Sequence, residues 1–277
     1  MTLIFDSRSL KQQEAWLKTE AGRAAFELQK NLVLGLVSPK ARERLLDVGC
    51  GSGLYLQIFR REGLYVTGLD PSVAMLDQAR KQLGPGADLF PGEAEELPFE
   101  DNEFDIVILI MVLERAVNPG AVLAEAFRVA RSRVFIGALN GLSMTALALR
   151  TKGLIKPDFY NRIRYITPWG VMNMMSELTD TSQIRWRTVH LLPPSLSHRV
   201  AVFESRPLVQ SNPFGAFLGM AAKKTHSVRT DNLTVKSEVK FKRQPAPTPT
   251  TYSTNGHFSS LPRKFSKISN DAARQIS

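Results

Sequence analysis

Three glycines alternate with other residues in Asp47-Val48-Gly49-Cys50-Gly51-Ser52-Gly53, and a second carboxylate, Asp70, stands 23 positions after Asp47. A turn with so few side chains lets a ligand approach its backbone closely, and positive φ costs little there. Leu45–Val48, just before the turn, is short and largely apolar, as a buried parallel strand should be. A second apolar stretch, Tyr65–Leu69, ends in Asp70. An acid at the tip of the second strand, roughly 20 residues past a glycine loop, is placed to accept both hydroxyls of a ribose. The residues therefore point to a nucleoside-type cofactor on a doubly wound α/β sheet.

Glycine spacing narrows the cofactor. The dinucleotide pattern G-x-G-x-x-G uses its third glycine to pack helix on strand. That register here holds Gly49, Gly51 and Leu54, so an NAD(P)-binding oxidoreductase is disfavoured. The pattern present is D-x-G-x-G-x-G. It resembles the first motif of the class I S-adenosylmethionine (SAM) dependent methyltransferases, most closely the small-molecule type 11 family. Gly92-Glu93-Ala94-Glu95-Glu96-Leu97-Pro98-Phe99 is similar to the family segment in which an acid and the next backbone amide hold the adenine. Phe104-Asp105-Ile106-Val107 resembles the opening of its fourth strand, and Leu113–Pro119 the segment after it. Trp16, Thr19 and Gly22 resemble a W-x-x-T-x-x-G stretch that precedes the fold in some members. The likeness covers about residues 14–140. It implies SAM as cofactor, with Asp47, Gly49, Cys50, Gly51, Gly53, Asp70, Pro71, Met75, Glu93, Ala94 and Ile110 as its contacts.

Each residue also has a plainer reading. A Gly-x-Gly-x-Gly alone is often a tight strand-to-helix turn, but Asp47, Asp70 and Glu93 each at a strand end favour a site. Glu95, Glu96, Glu100, Asp101 and Glu103 read mostly as a solvated face. Cys50 reads as a small loop residue, because methyl transfer from a sulfonium needs no protein thiol.

Such a transfer gains much from proximity and orientation and needs a general base only if the nucleophile carries a proton. His190, His198, Tyr160 and Asp158 are the candidates for a base, each more simply structural, so no catalytic residue is assigned. The stretch after the fourth strand reads Leu109-Ile110-Met111-Val112, without the D/N-P-P-Y/F motif that amino-methylases of nucleic acid resemble one another in. Cytosine C5 enzymes need a cysteine there, and Cys50 lies in another loop. Protein arginine methylases have two glutamates there; here only Glu114 is present. Residues 142–175 are rich in Leu, Met and aromatics, so the expected acceptor is an apolar or amphipathic small molecule, with nucleic acid disfavoured. A methyltransferase-fold protein that binds SAM only as a partner or regulatory subunit is the alternative.

Composition agrees. The chain has 277 residues and one cysteine, which suits a reducing, cytoplasmic compartment. Its start lacks a signal-peptide pattern. Ile106–Leu113 and Val134–Leu149 fall short of the ~20 apolar residues that span a bilayer, so no transmembrane segment is expected. The second stretch reads as strand, turn and apolar helix, which leaves room for peripheral membrane contact. The net charge is +10, but residues 225–277 supply nine Lys/Arg against three Asp/Glu, or +6 of it. That Ser/Thr/Pro-rich segment lacks any sustained period and is expected to be disordered.

The elements that must position the site follow from periodicity. Helix is expected over 8–37, with strands at 44–48, 65–69, 87–90, 104–110 and 133–138 and helices between them at 52–62, 71–83 and 119–131. Strands separated by helices mean parallel βαβ units. A helix from Thr167-Pro168 to about 178, a strand at 183–192, a short helix at 199–204 and a last strand at 215–222 complete the list. The family's glycine pair before the fifth strand is replaced by Arg131-Ser132-Arg133. The expected fold class is a mostly parallel, Rossmann-like methyltransferase sheet with an antiparallel last strand. It divides into an N-terminal helical cap (1–40), a SAM-binding domain (41–224) and a basic tail (225–277).

Overall fold

The computed structural model describes residues 15–155, 164–191 and 204–224. Helix α1 (Glu20–Val37) is followed by β1 (Arg44–Val48), α2 (Leu54–Arg61), β2 (Tyr65–Asp70), α3 (Val73–Leu83) and β3 (Asp88–Pro91). Then come β4 (Phe104–Ile110), α4 (Pro119–Val129), β5 (Ala130–Leu139), α5 (Met144–Ile155) and α6 (Pro168–Ser176). A 3-10 turn (Thr181–Gln183), β6 (Ile184–Val189), α7 (Pro207–Gln210) and β7 (Phe217–Lys223) close the series. The seven strands form one sheet in the order β3-β2-β1-β4-β5-β7-β6. All neighbours from β3 to β5 are parallel; β7 lies antiparallel between β5 and β6. This is the expected doubly wound, Rossmann-like class with its antiparallel last strand.

The sheet divides two cores, and β4 shows how. Ile106, Ile108 and Ile110 face one side with Leu32, Leu56, Phe59 and Leu76. Val107 and Leu109 face the other with Leu123, Phe127, Val171 and Met175. Both faces are covered, so the strand reads as a continuous apolar run instead of alternating. Helix α1 packs against β5, β6 and β7. A Cβ on Gly219 would lie 2.2 Å from a methyl of Leu32, so glycine sets that close approach.

Several boundaries differ from expectation for local reasons. The expected helix over 8–37 is interrupted at Lys18–Thr19. Thr19 caps α1, its hydroxyl accepting the Gly22 N–H at 3.0 Å and donating to the Trp16 carbonyl at 2.7 Å. A Cβ at position 22 would meet that carbonyl at 2.0 Å, which explains the W-x-x-T-x-x-G spacing as a capping turn. Pro71 precedes α3 instead of opening it; Ser72 is the cap. Strand β5 starts three residues early, at Ala130. Arg131 and Arg133 lie within it and pair with Asp105 and Glu43 across the amino end of the sheet. Strand β6 stops at Val189, because His190 turns to φ +63°. The segments 199–203 and 225–277, for which a helix start and disorder were expected, lie outside the described residues. No described helix is long and apolar enough to cross a membrane.

Candidate active site

The glycine loop joins β1 to α2, at the carboxyl end of the sheet, where ligands of doubly wound folds bind. Its first residues are fixed by β2: Gly49 and Cys50 both donate their N–H to the Leu69 carbonyl, at 2.7 and 3.1 Å. Gly49, Gly51 and Gly53 all have positive φ (+72°, +54° and +83°). Their surroundings separate them. A Cβ on Gly49 would strike Val112 at 2.7 Å, and one on Gly53 would strike Leu83 at 2.9 Å. A Cβ on Gly51 meets nothing within 4 Å. Gly49 and Gly53 therefore serve packing, and Gly51 borders open space.

Asp70 ties this loop to the start of α3. One carboxylate oxygen accepts the Gly51 N–H at 2.9 Å and the other the Ser72 N–H at 2.8 Å. A carboxylate has about four lone-pair sites, so two remain for hydroxyl donors. Asp47, at 2% exposure, is the next-to-last residue of β1 and lies near Asp70. Burial and then the charge of Asp70 hold its carboxyl well above the usual range. Two acids in one crevice favour a cationic ligand, since a nearby positive charge offsets both effects. Helix α2 has no side-chain cap, so its first N–H groups are left for an anion.

The other expected contacts gather along the same rim. Pro71 and Met75 flank the Ser72 cap, Met75 being buried in the first turn of α3. Ile110 closes β4. Glu93 is exposed and Ala94 half-buried in the segment after β3. Cys50 is buried and unpaired by any disulfide, and burial pushes its thiol pKa up, as suits the inert reading. The acids expected on a solvated face are partly structural: Glu95 accepts the Val117 N–H at 3.0 Å, and Asp101 pairs with Arg128 at 2.8 Å. Of the candidate bases, His190 follows β6, and burial lowers its pKa to about 4, so it is neutral at pH 7. Asp158, Tyr160 and His198 lie outside the described residues.

Three residues following β4 and β5 were given no site role by sequence, Glu114 being named only as a lone glutamate. Glu114, at 3% exposure, accepts the Leu139 N–H on Oε1 at 2.6 Å, while Oε2 has no hydrogen-bond partner among the described residues. Burial raises its pKa to about 7 against the opposing pull of that hydrogen bond. Arg115 donates Nε–H to the Met111 carbonyl at 2.8 Å, and Met111 itself has φ +59°. Asn140, fully buried, bridges β5 to the approach of β7 by donating to the Pro213 and Gly215 carbonyls at 2.7 and 2.8 Å. A lone acid, a basic residue and an amide after apolar strands gave no periodic signal.

Glu114 predicts a pH dependence. Its folded pKa of about 7 lies above the ordinary glutamate value, so between the two the folded state holds a proton that the unfolded state has lost. That contribution is present at low pH and is lost as pH rises through about 7, at a cost of ~2–4 kcal/mol. The denaturant midpoint of the ligand-free protein should fall as pH rises from about 4.5 to 7 and level off above. Glu114→Gln should flatten most of that slope; an unchanged slope would place the titrating group elsewhere.

The comparisons fit this geometry. Residues 46–136 match the family model described as "Methyltransferase domain". A malonyl-[acyl-carrier protein] O-methyltransferase of Serratia marcescens is 37% identical over 111 residues, covering 39% of this chain and 43% of that one. A demethylmenaquinone methyltransferase of Renibacterium salmoninarum is 36% identical over 102 residues, covering 37% and 43%. The chain thus spans less than half the length of these relatives. Among solved structures, a SAM-dependent methyltransferase of Thermotoga maritima, described as a possible histamine N-methyltransferase, superposes with a TM-score of 0.62. It is 21% identical, with 79% of this chain and 97% of that one covered, and shows the shared fold. The likeness read from the glycine loop is borne out: this chain is similar to SAM-dependent methyltransferases, and SAM is the cofactor of that class.

Proposed function

We propose that this protein transfers a methyl group from SAM to an apolar or amphipathic small molecule. The observation that carries the reading is Asp70, which braces the glycine loop through Gly51 and keeps lone pairs for a ribose. Bound SAM would supply an electrophilic methyl carbon, its sulfonium drawn by Asp47 and Asp70. The adenosine would lie along Pro71, Met75, Glu93, Ala94 and Ile110. Gly51 gives the methionine part room. Loops at four strand ends would hold both reactants, which is where much of the rate can arise. Arg131-Ser132-Arg133 continue β5, while the lack of an assigned base keeps a non-catalytic, SAM-binding partner protein as the alternative reading. Exposed Leu142, Met144 and Leu147, following β5 at its carboxyl end, favour an acceptor with an apolar body. Two of the relatives are named for malonyl-[acyl-carrier protein] and demethylmenaquinone. Buried, unpaired Cys50 suits a reducing compartment such as the cytoplasm.

Thermal shift with SAM, its demethylated product (SAH) and NADH side by side tests the cofactor. Stabilisation by the first two alone is expected, and stabilisation by NADH alone would reject the reading. Mass spectrometry of candidate acceptors incubated with SAM then tests transfer.

Domain limits enter the same reading. Lys224 is an anchor: its ammonium donates to Asn102 Oδ1 at 2.8 Å and to the Phe127 and Ala130 carbonyls at 2.7 and 2.9 Å. We place the end of the SAM-binding domain there. A chain ending at Lys224 should melt within a few degrees of the full chain and bind SAH equally well. Loss of SAH binding on truncation would make residues 225–277 part of the site.

A further inference from the structure

Arg115 stands out among the charged groups of the described crevice. It is partly buried, and its only side-chain hydrogen bond among the described residues is from Nε to the Met111 carbonyl. No carboxylate of the described residues lies within salt-bridge distance of it, although Glu114 and Asp70 are near enough for their charges to act on it. A guanidinium has five N–H donors, so four remain without a described partner. Held at the half-buried rim, these donors are open to a ligand, and an anion meeting them gains more than it would from a fully solvated cation. The fork geometry suits a carboxylate or phosphate held by two parallel hydrogen bonds.

We propose that Arg115 is a specificity-determining residue that binds an acidic group, carboxylate or phosphate, on the methyl acceptor. The inference rests on the methyltransferase reading and adds to it that the acceptor is an anionic amphiphile. Two carboxylate sources exist at such a site, the acceptor and the methionine end of SAM. The uncapped start of α2, beside the glycine loop, offers the cofactor's carboxylate a place of its own. Arg115 belongs instead to the turn after β4, next to Glu114, where the chain meets the segment that follows α5 through the Arg164 N–H to Glu114 carbonyl bond at 3.0 Å. Its positive charge beside a cationic sulfonium is also better matched by an anionic third partner.

The test uses the full chain saturated with SAH, and octanoate, octyl phosphate and octan-1-ol as probes. Calorimetry should show the two acids binding at least tenfold tighter than the alcohol, a margin typical of a charge-assisted pair. Arg115→Met should erase the preference, and Arg115→Lys should keep part of it. SAH affinity should change by less than threefold in both. Equal binding of acid and alcohol by the wild type, or a preference that survives in Arg115→Met, overturns the proposal. A tenfold loss of SAH affinity in Arg115→Met with no acid preference in the wild type also overturns it, assigning the guanidinium to the cofactor's carboxylate. Absence of SAH binding by the wild type would reject the methyltransferase reading instead, and is seen before any probe is added.

Discussion

Asp70→Ala is expected to weaken SAM binding by about a hundredfold while leaving the sheet intact. The carboxylate would accept two ribose hydroxyls, and charge-assisted bonds of this kind are worth ~1.5–3 kcal/mol each. It also orders the loop, since the Gly51 and Ser72 N–H groups both end on it. Alanine removes both functions at once. The apo protein is partly compensated, because Asp47 loses a like charge that raises its pKa. Calorimetry with SAH, alongside circular dichroism, gives the answer. Unchanged affinity would sink the cofactor assignment, whereas a collapsed spectrum would show Asp70 to be a folding residue first.

Gly51→Val should abolish detectable SAM binding with little loss of structure. The two neighbouring glycines could not give so clean a result. At Gly49 and Gly53 a new Cβ collides with Val112 or Leu83, so lost binding would be confounded with lost packing. At Gly51 the new side chain enters open space, and the cost to the fold is that of a β-branched residue at φ +54°, of order 1–3 kcal/mol. A Gly51→Val protein that folds and still binds SAH would mean that the ligand lies elsewhere.

The glycine loop and its acid were legible because they combine short-range sequence with strand ends, and both are local signals. Strand β4 was read at its true limits, since Ile106–Ile110 is apolar on both faces and the strand is bounded by Glu103 and a turn. The start of β5 was misplaced because Arg131-Ser132-Arg133 reads as a turn. Its charges are instead satisfied by Asp105 and Glu43 from distant segments. Asn140 was invisible for the same reason, its partners being the carbonyls of Pro213 and Gly215, more than 70 positions away. Glu114 and Arg115 lay inside a recognised segment, yet nothing in composition separates a buried acid from a solvated one.

The place of β7 has a consequence for how the chain is made. The last strand sits second from the edge, so β6 has no partner until Phe217–Lys223 arrives. During synthesis from the amino terminus, β1 to β5 can assemble while the open edge of β5, with Val134, Ile136 and Ala138, waits for a strand emitted more than 70 residues later. Such an exposed edge invites pairing with another chain. Insertion of β7 is a non-local closure that should come late and slowly. Nascent chains stalled before residue 217 should therefore be aggregation-prone, and those released after Lys224 should not.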